Sequence, residues 1–278
     1  MLGALFLFAS MDAGVKYLVK HYPVVQVVWA RYFFHLVLLT AVFARRLPVL
    51  VKTTNLNIQI VRSILLLATT ALFFTGLRFV PLADMTAIMM VAPLIVTALS
   101  MPLLKEPVGP RRWLGVVVGF AGALIIIRPT SGVMQLAALL PLAAAASYAL
   151  YQISTRHLSS SDPVLTTLLY SATSGAVLTS FLVPFYWTWP TPMGWALLLY
   201  TGFCGGFGHF ALIKAFTSAP AAVITPFSYT SLIWATGWGF FVYGEFPDRW
   251  TIVGAAIIAL SGLYVFFREQ RVKARQKS

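Results

Sequence analysis

The sequence predicts an all-α integral membrane protein: ten transmembrane helices arranged as two inverted five-helix repeats around a central cavity. Three observations carry that expectation. Hydrophobic residues make up 59% of the 278 positions and charged residues 10%, against roughly 25% charged in soluble domains. The chain divides into ten apolar runs, each close to the roughly 20 residues a helix needs to cross a hydrocarbon core. Shifted by half the chain length, 139 residues, the second half repeats landmarks of the first.

The runs cover approximately 2–19, 24–43, 58–78, 82–104, 111–128, 134–155, 163–184, 193–214, 219–243 and 250–267. Turn chemistry separates them: Pro23, Arg45-Arg46, Pro81, KEPVGPRR (105–112), RPTSG (128–132), SSSDP (159–163), WTWPTP (187–192), Pro220 and GEFPDR (244–249). Most connections are short, so consecutive helices are antiparallel neighbours. In RFVPLADM (78–85), Pro81 marks a tight turn. Arg78 then ends the third helix, and Asp84 opens the fourth, where the helix dipole favours negative charge. Two readings of Asp84 stay open, an interfacial helix-end charge or the mouth of a pore.

The net charge of +13 could indicate nucleic acid, but the basic residues lie between oily segments and not in aromatic-interleaved patches. With the N-terminus in the cytoplasm, the inner side holds Arg45, Arg46, Lys52, Arg62, Lys105, Arg111, Arg112, Arg156, Arg268 and four residues of the tail REQRVKARQKS (268–278). The outer side holds Lys20, Arg78, Arg128 and Arg249. This asymmetry places both termini inside, with the tail against anionic lipid. Cys204 is the single cysteine, which rules out an intrachain disulfide and a cysteine metal cluster. Asp12 and Lys16 in the first run, with no basic region before it, argue against a cleaved signal peptide; the expectation is a chain that starts late, lacking a short cytoplasmic tail.

In the repeat, Pro81 aligns with Pro220, Ala83 with Ala222, Thr86 with Thr225, Thr97 with Thr236, Glu106 with Glu245 and Gly115 with Gly254. Five helices is an odd number, so the second half enters the membrane upside down. Inverted repeats hold substrate near the midplane between them. The expected division is 1–132 and 133–268 for the two repeats and 269–278 for a basic cytoplasmic tail.

Charges within a membrane are rare and face a cavity or a partner. Asp12 and Lys16 share one helix face at i, i+4. They either neutralise each other or meet the ammonium and carboxylate of an amino acid. Arg31 and His35 repeat that spacing, and Arg31 reads as structural. His209 lies near mid-membrane, as a packing residue or a substrate or proton group. Lys214 snorkels to the inner surface. SYALYQ (147–152) supplies Tyr148, Tyr151 and Gln152, and PFSYTSLIWATGW (226–238) supplies Ser228, Tyr229, Ser231 and Trp234 as cavity candidates. Pro93 and Pro226 interrupt helix hydrogen bonding and suit gating kinks. GGFGHFA (205–211) contains a dinucleotide-like fragment without a preceding strand, so close packing explains it. The small-residue faces of Gly115, Gly119 and Ala123, and of Gly254 and Gly262, suit packing within the fold or in a homodimer.

Several stretches match a known pattern: Pro23-x7-Arg31, LRFVPLADMTAIMMVAP (77–93), LLKEPVGPRRWLGVVVGFAGALIII (103–127) and VYGEFPDRWTIVGAAIIALSGLYVF (242–266). By these the chain resembles the drug/metabolite transporter superfamily, in particular its bacterial EamA-type ten-helix members. Ser171 departs from the pattern where a counterpart of Arg31 would stand. The resemblance implies a cavity lined by helices three, four, eight and nine with help from one and six, residence in the bacterial inner membrane, and export of metabolites, often amino acids. One branch exports aromatic amino acids, and an aromatic-rich cavity suits them by stacking.

The expected function is therefore a secondary transporter of small amphipathic metabolites, exporting amino acids with an aromatic or apolar preference by alternating access. A multidrug or other metabolite carrier is the alternative. No cofactor or metal is expected, and proton coupling would run through Asp12, His209 or Asp84. There is no Walker motif for ATP, so energy would come from a gradient or from the substrate's own concentration, and no HExxH, GxSxG or carboxylate pair beside a histidine supports an intramembrane lipid-modifying enzyme. A channel or scaffold ranks behind the carrier.

Overall fold

Prolines and glycines end the helices of the computed structural model. The structure describes residues 1–104, 109–128, 137, 139–158, 161–218 and 225–275. Helix α1 (Leu2–His21) stops at Tyr22, which is extended before Pro23, where the proline ring disfavours the α conformation. Pro23 then precedes α2 (Val24–Phe43), which runs through a 3₁₀ turn, Ala44–Arg46, into one helical turn at Leu47–Leu50. Helix α3 (Leu56–Leu77) ends at an exposed Arg78, in line with the sequence expectation.

The fourth predicted run is broken. It forms α4 (Leu82–Met89) and α5 (Ala92–Leu104). The break falls where the missing N–H of Pro93 would have bonded the carbonyl of Met89, and the chain there closes with Val91 N–H to Ile88 O (3.0 Å). Pro102 lies inside α5, a helix-interior proline that the sequence expectation leaves out.

Helix α6 (Pro110–Ile127) begins on a proline and ends at Arg128 with φ 41°. Then follow α7 (Leu139–Leu158), α8 (Val164–Leu182) and α9 (Pro192–Ser218). A 3₁₀ stretch, Thr225–Thr230, which includes Pro226, leads into α10 (Ser231–Tyr243); Gly244, at φ 66°, stops it. Helix α11 (Arg249–Arg275) continues past the expected end at 267, into the segment read as a tail. The repeat landmarks Glu106, Pro220 and Ala222, and Lys105 of the charge tally, lie outside the described residues.

Among the described residues, eight helices are long and apolar enough to cross a membrane; α7 and the 225–243 stretch pack among them. Helices of the two halves pair in a swapped pattern. α1 packs on α9 and α3 on α7, while α2 packs on α8, α4 on α10 and α6 on α11. The outer surface is oily: Phe241 is 83% exposed and Phe185 81%. In water such faces would associate; in a bilayer they contact acyl chains.

The α6–α11 contact shows where the small-residue faces go. A methyl group on Gly122 would come within 2.8 Å of the Gly254 carbonyl, and one on Gly119 within 2.6 Å of the Ser261 hydroxyl. These glycines let the two helices touch inside one chain. Of the two alternatives for these faces, this contact is packing within the fold.

Candidate functional site

A cavity of about 260 Å³ opens between the two halves. Helix α1 contributes Phe8, Met11 and Asp12, and α2 contributes Arg31. Leu66, Thr69, Thr70, Phe73 and Phe74 come from α3, with Thr86 and Met89 from α4. The second half adds Tyr148 of α7, His209 and Leu212 of α9, and Ser231 at the start of α10. Seven apolar side chains share the lining with two charged residues, five hydroxyls and one histidine.

Asp12 and Arg31 lie within electrostatic reach of one another, yet no ion pair within 4 Å joins them among the described residues. Arg31 donates through Nη1 to the Thr70 hydroxyl. Its guanidinium also lies 5.4 Å from the Tyr32 ring centre and 5.6 Å from that of Phe74. Thr70 is held in turn by the Leu66 carbonyl (2.9 Å) and Tyr32 Oη (2.9 Å). The His209 Nδ1 sits 2.8 Å from the Gly205 carbonyl. A carbonyl only accepts, so Nδ1 carries the proton, and Nε2 of the neutral ring is left as an acceptor. Phe8 meets the His209 ring edge-on at 5.0 Å.

Of the residues proposed from sequence, Asp12, Tyr148, His209 and Ser231 line this cavity. Lys16 does not. One turn along α1 from Asp12, it is 2% exposed and pairs with Glu245 at 2.5 Å, while also donating to the Val80 carbonyl at 3.2 Å. The i, i+4 spacing of Asp12 and Lys16 therefore makes no pair. Tyr151 and Gln152 lie outside the cavity wall; Tyr151 accepts a hydrogen bond from Arg62 (2.8 Å). Tyr229 packs towards α11, where a methyl group on Gly262 would come within 2.0 Å of its hydroxyl. Trp234 meets Phe6 edge-on at 5.3 Å, also away from the cavity. Ser228 sits in the 3₁₀ stretch before α10, off the cavity wall. Asp84 faces Thr251 near the α11 start, two residues before the cavity residue Thr86 and itself off the cavity wall.

The structure adds to the sequence expectation for two arginines. Arg31 reads as structural but faces the cavity. Arg62, counted among the inner-surface charges, is 2% exposed inside the protein. The threonines Thr69, Thr70 and Thr86 gave no signal, because a membrane helix hides a threonine by bonding it to its own i−4 carbonyl, as all three do here. The glycines of GGFGHFA serve packing: a methyl group on Gly206 would meet Leu38 at 2.7 Å, and one on Gly208 would meet Phe8 at 2.8 Å.

The family model described as the EamA-like transporter family matches this chain twice, over residues 1–128 and 135–267. The chain belongs to this family. It is 30% identical over 269 residues to the S-adenosylmethionine uptake transporter of Rickettsia felis, covering 96% of this chain and 91% of that protein. The riboflavin transporter of Vibrio cholerae is 32% identical over 72% of this chain and 67% of its own length. The pseudopaline exporter of Pseudomonas aeruginosa is 29% identical over 93% and 91%. A solved crystal structure superposes with TM-score 0.69 at 16% identity, covering 97% of this chain and 96% of that one; at that identity it shows the fold alone. As an EamA-like protein the chain is a multi-span membrane transporter of small molecules, and not an enzyme.

Proposed function

We propose that this EamA-like protein is a secondary transporter for a small amphipathic metabolite with the head of an α-amino acid and an aromatic or apolar body. One observation carries the reading. Asp12 and Arg31 face a single cavity between the halves without closing on each other, and among the described residues Asp12 makes no hydrogen bond at all. Charges placed this deep are costly unless a partner offsets them. A zwitterion supplies both partners, its ammonium at Asp12 and its carboxylate at Arg31, and its body rests on Phe8, Phe73, Phe74 and Tyr148.

The relatives support the two parts of this description. S-adenosylmethionine, carried by the Rickettsia proteins, joins an amino-acid head to a purine; riboflavin, carried by the Vibrio protein, presents a flat aromatic ring system. In this reading the two halves are inverted repeats, divided near 132 and followed by a basic tail, in a bacterial inner membrane with both termini cytoplasmic. They exchange shapes to expose the cavity to each side in turn, exporting aromatic or apolar amino acids. Protonation of Asp12 would free the ammonium, which couples flux to a proton gradient.

The test is counterflow of labelled L-phenylalanine and S-adenosylmethionine in proteoliposomes. Saturable exchange is expected for wild type, with at least about a tenfold loss in Asp12→Asn and in Arg31→Gln, the scale of one charge-assisted hydrogen bond. Wild-type exchange in both variants at equal protein would overturn the reading.

A further inference from the structure

Arg62 of α3 lies one turn from Leu66 and two from Thr69, both on the cavity wall, and is not itself on that wall. Its guanidinium spends four N–H groups on neutral acceptors: Nε on Thr155 Oγ1 (2.7 Å), Nη1 on the Thr167 carbonyl (2.8 Å) and Ser171 Oγ (2.9 Å), and Nη2 on Tyr151 Oη (2.8 Å). The cation also lies over the Tyr151 ring, 4.6 Å from its centre. No carboxylate pairs with it among the described residues, whereas the other buried cation, Lys16, has Glu245.

Two features suit this layer to exchange. The Thr155 and Ser171 hydroxyls already donate to the carbonyls of Tyr151 (2.7 Å) and Thr167 (3.0 Å), so neither is stranded if the guanidinium leaves. Tyr151 is stacked on the cavity residue Tyr148, with ring centres 5.6 Å apart and an interplanar angle of 18°. The stack is thus what stands between the cavity residue Tyr148 and the Arg62 guanidinium. A purely structural clamp has no need for a full positive charge without a counter-ion, since desolvating it is costly.

We propose that Arg62 is a second carboxylate subsite, which takes the substrate's carboxylate at the end of the cavity nearest α7 and α8 in exchange for its bonds to Tyr151 and Ser171. The inference rests on the zwitterion reading above and adds a step to it. With the N-terminus cytoplasmic, Arg62 stands on the side from which an exported substrate enters, ahead of Arg31.

Counterflow of L-phenylalanine is compared with that of L-phenylalaninamide, which keeps the ring and ammonium and lacks the carboxylate. Arg62→Gln raises KM for the acid about tenfold or more, as for a lost charge-assisted contact, and leaves the amide within about twofold. Arg62→Lys, which keeps the charge without the planar fork, falls between and carries the test if the Gln variant does not fold. Tyr151→Phe frees one guanidinium N–H and lowers KM for the acid alone. Equal losses for acid and amide, or unchanged acid preference in these variants, overturn the second subsite while the proposed function stands. Failure of wild type to exchange either compound overturns the proposed function, and the subsite with it.

Discussion

Lys16 and Arg62 are each 2% exposed and each lie about one helical turn beyond the same cavity, yet the protein treats the two charges in opposite ways. At the Lys16 end the charge is neutralised across the halves. Glu245, in the turn before α11, accepts from the ammonium and from the Leu82 N–H that opens α4 (3.4 Å), and Tyr243 Oη donates to the Ala13 carbonyl (2.5 Å). At the Arg62 end a guanidinium from the first half is solvated by hydroxyls and a carbonyl of α7 and α8 and stays a net charge. The difference separates a lock from a receptor. An ion pair is satisfied when closed, whereas a cation among neutral dipoles retains affinity for an incoming anion.

The largest effect should come from removing the cation that no partner neutralises. Arg62→Met deletes four hydrogen bonds and the contact with the Tyr151 ring. We expect a loss of about 3 kcal/mol, at the lower end for breaking a buried charge network, because Thr155 and Ser171 keep their helical acceptors. Thermal unfolding in detergent measures it. Lys16→Met should cost less, about 1–2 kcal/mol, because the Glu245 side chain is 29% exposed and can rehydrate. Adding Glu245→Gln should restore most of that loss, since it removes the carboxylate left without its cation. If instead the two losses simply add, the pair is not coupled, and the contrast between the ends disappears.

The same contrast explains what the sequence discloses. The apolar runs and their prolines locate the helices, because span length and missing backbone donors act locally. The break ahead of Pro93 belongs to this class. Side-chain direction across the halves is different. Asp12 and Lys16 share a helix face, but only the fold brings Glu245 against one of them. Charge counting treats Arg62 like Arg45 or Arg46 because it registers side of membrane and not depth. The need of buried hydroxyls for partners favours an inward Tyr229 and Ser231 alike, but it does not say where the helix begins, and Tyr229 lies in the 3₁₀ stretch Thr225–Thr230, at about three residues per turn. Ser231, the first residue of α10, meets the cavity, and Tyr229, two residues back, turns to Gly262.

The smallest effects separate the loops that hold the two ends. Asp162 joins the halves near Arg62: burial works against its ionisation, but the Thr53 hydroxyl, the Gln59 amide (2.8 Å) and the Thr54 N–H (3.3 Å) and hydroxyl (3.1 Å) outweigh it and hold the carboxyl below its usual range. Asp248, near the other end, is also held low, first by the Thr251 N–H (2.9 Å) and then by Arg128. A carboxyl with a depressed native pKa adds stability above its unfolded value, about 3.9, and that stability is lost as pH falls through the native value. Asp162→Asn should therefore lower thermal stability at pH 5–8 by a roughly constant amount, about 1 kcal/mol or less, and the gap to wild type should close only below about pH 3.9. Asp248→Asn should show the same sign with a smaller amplitude, because its pair with Arg128 has both side chains more than 40% exposed, where water and salt screen it. Added salt should shrink the Asp248 gap and leave that of Asp162 nearly unchanged; equal salt sensitivity would mean that the Asp162 contacts are as open to water as those of the surface pair.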